Sequence, residues 1–220
     1  MHDLIAAATR AASSTLARLA VTLGLAALGT AAQANTPTIV DEWAGIKAPA
    51  APELKSATLD PKTTALLVLD FVNPNCTSRP RCMATLPAMK KLLAEARAKG
   101  MLVVFATGPT GKRADILPDV APLEAEPIVS AGVDKFANIE LEKLLKAAGT
   151  QTVIATGTAA HGAVLYTASA ASMRGLKVIL PVDGMSADTA YTEQFVAVHM
   201  TTAPLVSRNV TLTKLDLIRF

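Results

Sequence analysis

Aromatic residues are scarce in this chain. They make up 4% of 220 residues, with one Trp, two Tyr and five Phe. Its core must come from aliphatic side chains, and hydrophobic residues do reach 51%. Plentiful Ala, Val and Leu suit parallel strands covered by helices on both faces. An excess of one charge is also missing. The formal net charge is +3, from 21 Lys and Arg against 18 Asp and Glu, and no basic stripe is concentrated anywhere. Nucleic acid is therefore not an expected partner. Cysteine is limited to Cys76 and Cys82, and no His/Asp/Cys set has metal-ligand spacing, so no metal or other cofactor is expected. Long apolar runs are absent too, with one exception near the N-terminus.

That exception runs from Leu19 to Ala32, preceded by Arg10 and Arg18 and ending in Ala32-Gln33-Ala34. A charged region, an apolar stretch and a small-x-small site read as a secretory signal peptide over residues 1–34. The stretch is shorter than the ~20 residues that a spanning helix needs. The expectation is cleavage after Ala34, a periplasmic or secreted protein, and no membrane association afterwards. In an oxidising compartment, Cys76 and Cys82 of CTSRPRC read as a local disulfide. The alternative is a reactive thiol beside a catalytic acid, which export disfavours.

Residues 35–62 are rich in Pro, Ala and Thr without a period and read as an extended arm. Residues 63–220 then suit a single α/β domain. Thr64–Asp70 is a continuous apolar run ending in an acid, as in a central parallel strand. Residues 71–81 read as a loop. Residues 83–99 carry Leu86, Met89, Leu92, Leu93 and Ala96 at helical spacing, with Gly100 as the stop. A strand over 101–106 completes a β-α-β unit. Residues 107–129 form a long irregular segment, where Lys112 and Arg113 are either substrate-steering cations or a solvated pair. A short edge strand over 127–130, a helix to Lys146, a strand over 177–182, a helix over 189–201 and a strand over 210–212 follow.

The stretch that organises the rest is TVIATGTAAHGAVLYTASAASMR, residues 152–174. It reads as strand, tight turn and helix, with the helix starting near Ala160 to Gly162. In a parallel α/β sheet such a turn lies at the carboxyl end of a strand, where ligands bind. The first amides of the helix lack internal acceptors and are free to bind an anion or a developing oxyanion. The apex is Gly162-Ala163, which offers no attacking atom. Asp70 at a strand end and Lys135 after an irregular loop are the candidate partners. A carboxylate and an ammonium in one partly dry pocket hold each other charged, and the acid can shuttle a proton.

Taken together, LLVLDF, VVFATGP, DKFANIELEKLL and VIATGTAAHGAVLYTASAASMRGLKVILPVDGMSA resemble the isochorismatase-like hydrolase superfamily, the cysteine hydrolases. The resemblance implies a three-layer, mainly parallel six-stranded doubly wound sheet. It implies a catalytic triad in which Asp70 and Lys135 hold two positions and Ala163 stands where the nucleophilic Cys belongs. It also implies a non-proline cis peptide at Thr158-Ala159, a substrate cradle of Thr158, Ala159, His161 and Gly162, and a homo-oligomer. His161 matches a His of the true isochorismatases, which also lack the Cys, and is equally readable as a turn residue. Without a thiol the thioester route has no nucleophile. The expected function is hydrolysis of a small anionic substrate by Asp-assisted proton transfer and water. The competing expectation is an inactive descendant that binds a small molecule or a partner.

Overall fold

The computed structural model describes residues 35–220; the signal-peptide reading falls on residues 1–34 and lies outside them. Two units are described separately. In the first, residues 35–46, a short helix α1 (Ile39–Glu42) is followed by a 3-10 turn, Trp43–Gly45. The second comprises Lys47–Phe220. The compact body thus begins at Lys47 rather than at residue 63. Part of the expected arm is integral to it: Ala57–Thr58 forms strand β1, and the Lys55 amide donates to the Leu212 carbonyl at 2.9 Å.

The main sheet is built from β2 (Thr64–Leu69), β3 (Leu102–Thr107), β4 (Ile128–Ser130), β5 (Thr152–Thr158), β6 (Lys177–Pro181) and β8 (Val210–Thr213), in the order β4-β3-β2-β5-β6-β8. Every pairing is parallel. A seventh, two-residue strand, β7 (Met185–Ser186), adds to the carboxyl end of β5. The final strand, β9 (Ile218–Arg219), pairs with β1 in a separate small sheet.

The helices divide the core. Helix α2 (Pro80–Ala98) covers one face, where Leu86, Met89 and Leu93 pack on Leu66, Val68 and Ile154. On the other face α3 (Ile139–Ala147), α4 (Leu165–Met173) and α5 (Ala190–Thr202) bury Leu141, Ala168 and Val196 against Leu67, Leu69 and Ala155. Central strands buried on both faces need apolar residues at consecutive positions, which is why β2 reads TALLVL. Helix α2 begins at Pro80, three residues earlier than its apolar spacing suggests, because proline's fixed φ suits the first helical position. Asn138 caps α3 by accepting from the Glu140 amide at 3.1 Å.

Chain order reverses between β2 and β5. From β2 the chain winds outward through β3 to β4, and from β5 it winds the other way through β6 to β8. The crevice outside the carboxyl ends of strands at such a switch point is the default ligand site of open α/β sheets.

Candidate active site

Asp70 is the first residue beyond β2. Its φ of +54° turns the chain out of the strand, and its amide still donates to the Ala106 carbonyl of β3 at 3.0 Å. Leu69 is in register with Gly157 of β5, and Thr158 with Ser186 of β7. Asp70, Thr158 and Ser186 therefore mark successive positions across the carboxyl edge of three strands at the switch point. Gly157 is required there. Its φ is +147°, and a Cβ would sit 2.2 Å from the Leu69 carbonyl oxygen.

Lys135 reaches the same place from a 3-10 turn, Lys135–Ala137. Its side chain is 1% exposed and that of Asp70 is 12% exposed. The ammonium lies 2.9 Å from Asp70 Oδ2, to which it donates, and 2.8 Å from Oδ1, which accepts no hydrogen bond. Its other acceptors are the carbonyl oxygens of Thr107, at 3.0 Å, and Ala131, at 3.3 Å. Three donors meet three acceptors, so the buried ammonium is fully satisfied. Burial raises the Asp70 carboxyl above the ordinary carboxylate range, against the opposing hydrogen bond and charge of Lys135.

The turn after β5 leaves the same carboxyl edge of the sheet, next to Thr158. The Thr158-Ala159 peptide is cis, as the resemblance implied. The predicted α-helical start is instead one π-turn, Ala160–Val164, and regular α4 begins only at Leu165. Gly162 has non-helical backbone angles inside the turn, where the Gly162 and Val164 amides both donate to the Ala159 carbonyl. Ala163 is buried, while His161 is exposed on the first turn. The Lys135 segment docks onto this helix: the Lys135 amide donates to Thr167 Oγ1 at 3.2 Å, and that hydroxyl donates to the Val133 carbonyl. Thr158 is fixed by a hydrogen bond from its hydroxyl to the Ser186 carbonyl, 3.2 Å.

A family model described as Isochorismatase domain matches residues 64–210. The chain belongs to the isochorismatase family. Solved structures of similar fold include an isochorismatase family protein from Desulfovibrio vulgaris, with TM-score 0.63, 22% identity, and 70% of this chain and 95% of that one covered. N-carbamoylsarcosine amidase from Thermoplasma acidophilum aligns with TM-score 0.60 and 22% identity, covering 70% of this chain and 97% of its own. A nicotinamidase from Staphylococcus aureus gives 0.61 and 16% identity, covering 70% and 99%. No curated protein sequence matches the chain. At these identities the structures establish the isochorismatase-like hydrolase fold.

The structure brings Asp70 and Lys135, both expected from the sequence, into contact, and adds groups that the sequence did not single out. Thr107 and Ala131 contribute carbonyls, and Thr107 Oγ1 lies 2.9 Å from Ser130 Oγ. Thr167, a polar residue in an Ala-rich segment, is a signal of this docking that is visible in the sequence. Cys76, in the loop after β2, and Cys82, in the first turn of α2, form a disulfide. Neither is a free thiol, so the reactive-cysteine reading fails. Arg113 is not a substrate cation. Its guanidinium donates to the carbonyls of Leu123, Glu124 and Glu126 and ties down the long segment after β3. Among the described residues, no group of three or more His, Cys, Asp and Glu side chains is arranged to hold a metal ion.

Proposed function

We propose that the protein is an exported hydrolase of a small anionic substrate, opened by proton transfer from Asp70 and attack of water, with no covalent enzyme intermediate. The observation that carries this reading is the Asp70 carboxyl. It is largely buried, its pKa is raised by desolvation, and both of its oxygens lie within 2.9 Å of the Lys135 ammonium. A carboxyl that keeps its proton to higher pH is suited to general-acid work. The family resemblance puts Ala163 at the nucleophile position, and its methyl group cannot attack a carbonyl.

Cleavage of a vinyl ether fits these parts. Asp70 gives its proton to the alkene carbon, and the substrate becomes an oxocarbenium ion. Water adds to the cationic carbon and returns a proton to Asp70. The resulting hemiketal collapses to an alcohol and a ketone. The amides of Ala160 and His161, at the start of the turn, are suited to an anionic group of the substrate. The Cys76–Cys82 disulfide supports export, since such bonds persist in oxidising compartments.

A second reading, a ligand-binding descendant without turnover, is favoured by how enclosed the pair is. Clefts of about 320, 520 and 580 Å³ lie elsewhere, and neither Asp70 nor Lys135 lines them. The test is turnover of a panel of vinyl ethers, amides and esters by the wild-type protein and Asp70→Asn. Loss of about 10²–10⁴-fold in the variant, with substrate affinity retained, supports the enzyme. An active Asp70→Asn protein refutes the proton-transfer role. Ligand binding by a wild-type protein that turns over nothing establishes the second reading.

A further inference from the structure

Thr167 uses its hydroxyl differently from the threonines of α5. Inside a helix, a threonine hydroxyl commonly bonds back to a carbonyl three or four residues earlier. Thr201 and Thr202 do so, donating to the carbonyls of Ala197 and Val198. Thr167 is fully buried in the first turn of α4 and directs both of its hydrogen bonds out of the helix. It accepts from the Lys135 amide and donates to the Val133 carbonyl, each at 3.2 Å. One hydroxyl thus grips the chain on both sides of Asp134 and fixes the direction in which it enters Lys135. Other bonds of this segment are internal to it. Asp134 accepts from the Phe136 amide at 2.9 Å, and Asn138 donates to the Ser130 carbonyl at 3.1 Å. They set the segment's shape rather than its seat on α4. A second contact with α4 lies two turns on, where the Arg174 guanidinium sits 4.6 Å over the Phe136 ring.

We propose that Thr167 is a positioning residue for Lys135: through its hydroxyl, helix α4 sets where the ammonium stands against Asp70. The inference rests on the proton-transfer reading of Asp70 and names a residue that tunes it. Helix α4 begins directly after the Ala160–Val164 turn. One short helix therefore carries the turn at its start and the seat of Lys135 on its flank, and holds the two at a fixed separation. Without the hydroxyl, the buried Lys135 amide loses its acceptor, and the segment shifts to recover one. The ammonium has close contacts to lose, at 2.9 and 2.8 Å from the two carboxylate oxygens. Among the described residues, Lys135 supplies the charge that acts on Asp70, opposing the rise that burial causes. A displaced ammonium opposes that rise less, so Asp70 then keeps its proton to higher pH.

Thr167→Val keeps the shape of the side chain and removes the hydroxyl, whereas Thr167→Ser keeps the hydroxyl. Phe136, held under Arg174, keeps the segment docked in both. Carboxyl-carbon NMR titrates Asp70 without any substrate, its resonance assigned by its loss in Asp70→Asn. The expected midpoint of Thr167→Val lies about one pH unit above wild type, the low end of what a neighbouring opposite charge is worth. Thr167→Ser titrates as wild type does. On any substrate that the wild-type protein turns over, Thr167→Val lowers kcat about 10- to 100-fold with KM retained, and the alkaline limb of its rate profile moves up with the midpoint. An unchanged midpoint in Thr167→Val overturns the proposal, as does a Thr167→Ser protein shifted just as far. Thr167→Ala repeats the measurement should the valine protein not fold. A shifted midpoint in a protein that turns over nothing keeps the role of Thr167 and ends the proton-transfer reading. An unchanged midpoint beside an inactive Asp70→Asn protein does the reverse.

Discussion

Replacing Lys135 by Met keeps the length of the side chain and removes its charge. The ammonium is buried and donates to Asp70 Oδ2 and to the carbonyls of Thr107 and Ala131. Deleting one partner of a buried ion pair costs about 3–5 kcal/mol, and each orphaned carbonyl costs about 1–3 kcal/mol when no water replaces the donor. Against a total stability of roughly 5–15 kcal/mol, the variant should be folded but weak at neutral pH. The loss should depend on pH in a definite direction. The Asp70 pKa is raised by burial even with Lys135 present, and without the ammonium that desolvation is unopposed. A carboxyl whose folded pKa exceeds its unfolded value binds more protons when folded. Its contribution is therefore present below the unfolded pKa and is lost as pH rises through the folded one. Urea unfolding of Lys135→Met should show near pH 4 only the deficit from the two orphaned carbonyls, and that deficit should widen by about 3–5 kcal/mol by pH 7.5. Adding Asp70→Asn to the same protein removes the ionisable group and should recover part of the deficit at pH 7.5 only. A deficit under about 1 kcal/mol, or one independent of pH, would refute the buried-pair account.

Four further outcomes follow from the same geometry. Gly157→Ala should destabilise the protein by at least about 2–3 kcal/mol in thermal unfolding, because its Cβ would lie 2.2 Å from the Leu69 carbonyl oxygen at a φ of +147°. Replacing both Cys76 and Cys82 by Ala opens a short loop and should cost about 2 kcal/mol, or about 4–8 °C in Tm. Catalytic rate should fall on the alkaline side as Asp70 loses its proton, at a pH above the usual carboxylate range; a rate that is flat from pH 4 to 9 would contradict a general acid there. Ala163→Cys would introduce the one free thiol beside the disulfide pair. Residue 163 is 2% exposed among apolar neighbours, so this thiol should alkylate more slowly than an exposed one, and kinetics with iodoacetamide measure this.

Elements whose identity depends on local chemistry could be read in advance. A six-residue apolar run has few uses other than a strand buried on both faces, and Leu86, Met89 and Leu93 can share a face only in a helix. The candidate pair was legible through motif order alone, since Asp70 and Lys135 are 65 residues apart and only the fold makes them neighbours. The carbonyls that complete the ammonium's shell were hidden for a different reason. Thr107 and Ala131 contribute backbone oxygens, and every residue has one.

The sequence by itself determined the long strands and helices of the body and an α/β class with parallel strands covered on both faces. Those follow from side-chain type and spacing, which act over a few residues. Tertiary structure alone decided that the chain before residue 63 joins the body through β1 and β9, that the turn after β5 is a π-turn, and that Arg113 secures a loop. Each depends on which distant backbone groups come within hydrogen-bonding distance. That is fixed only when the strands have taken their order and the long connections have closed over them.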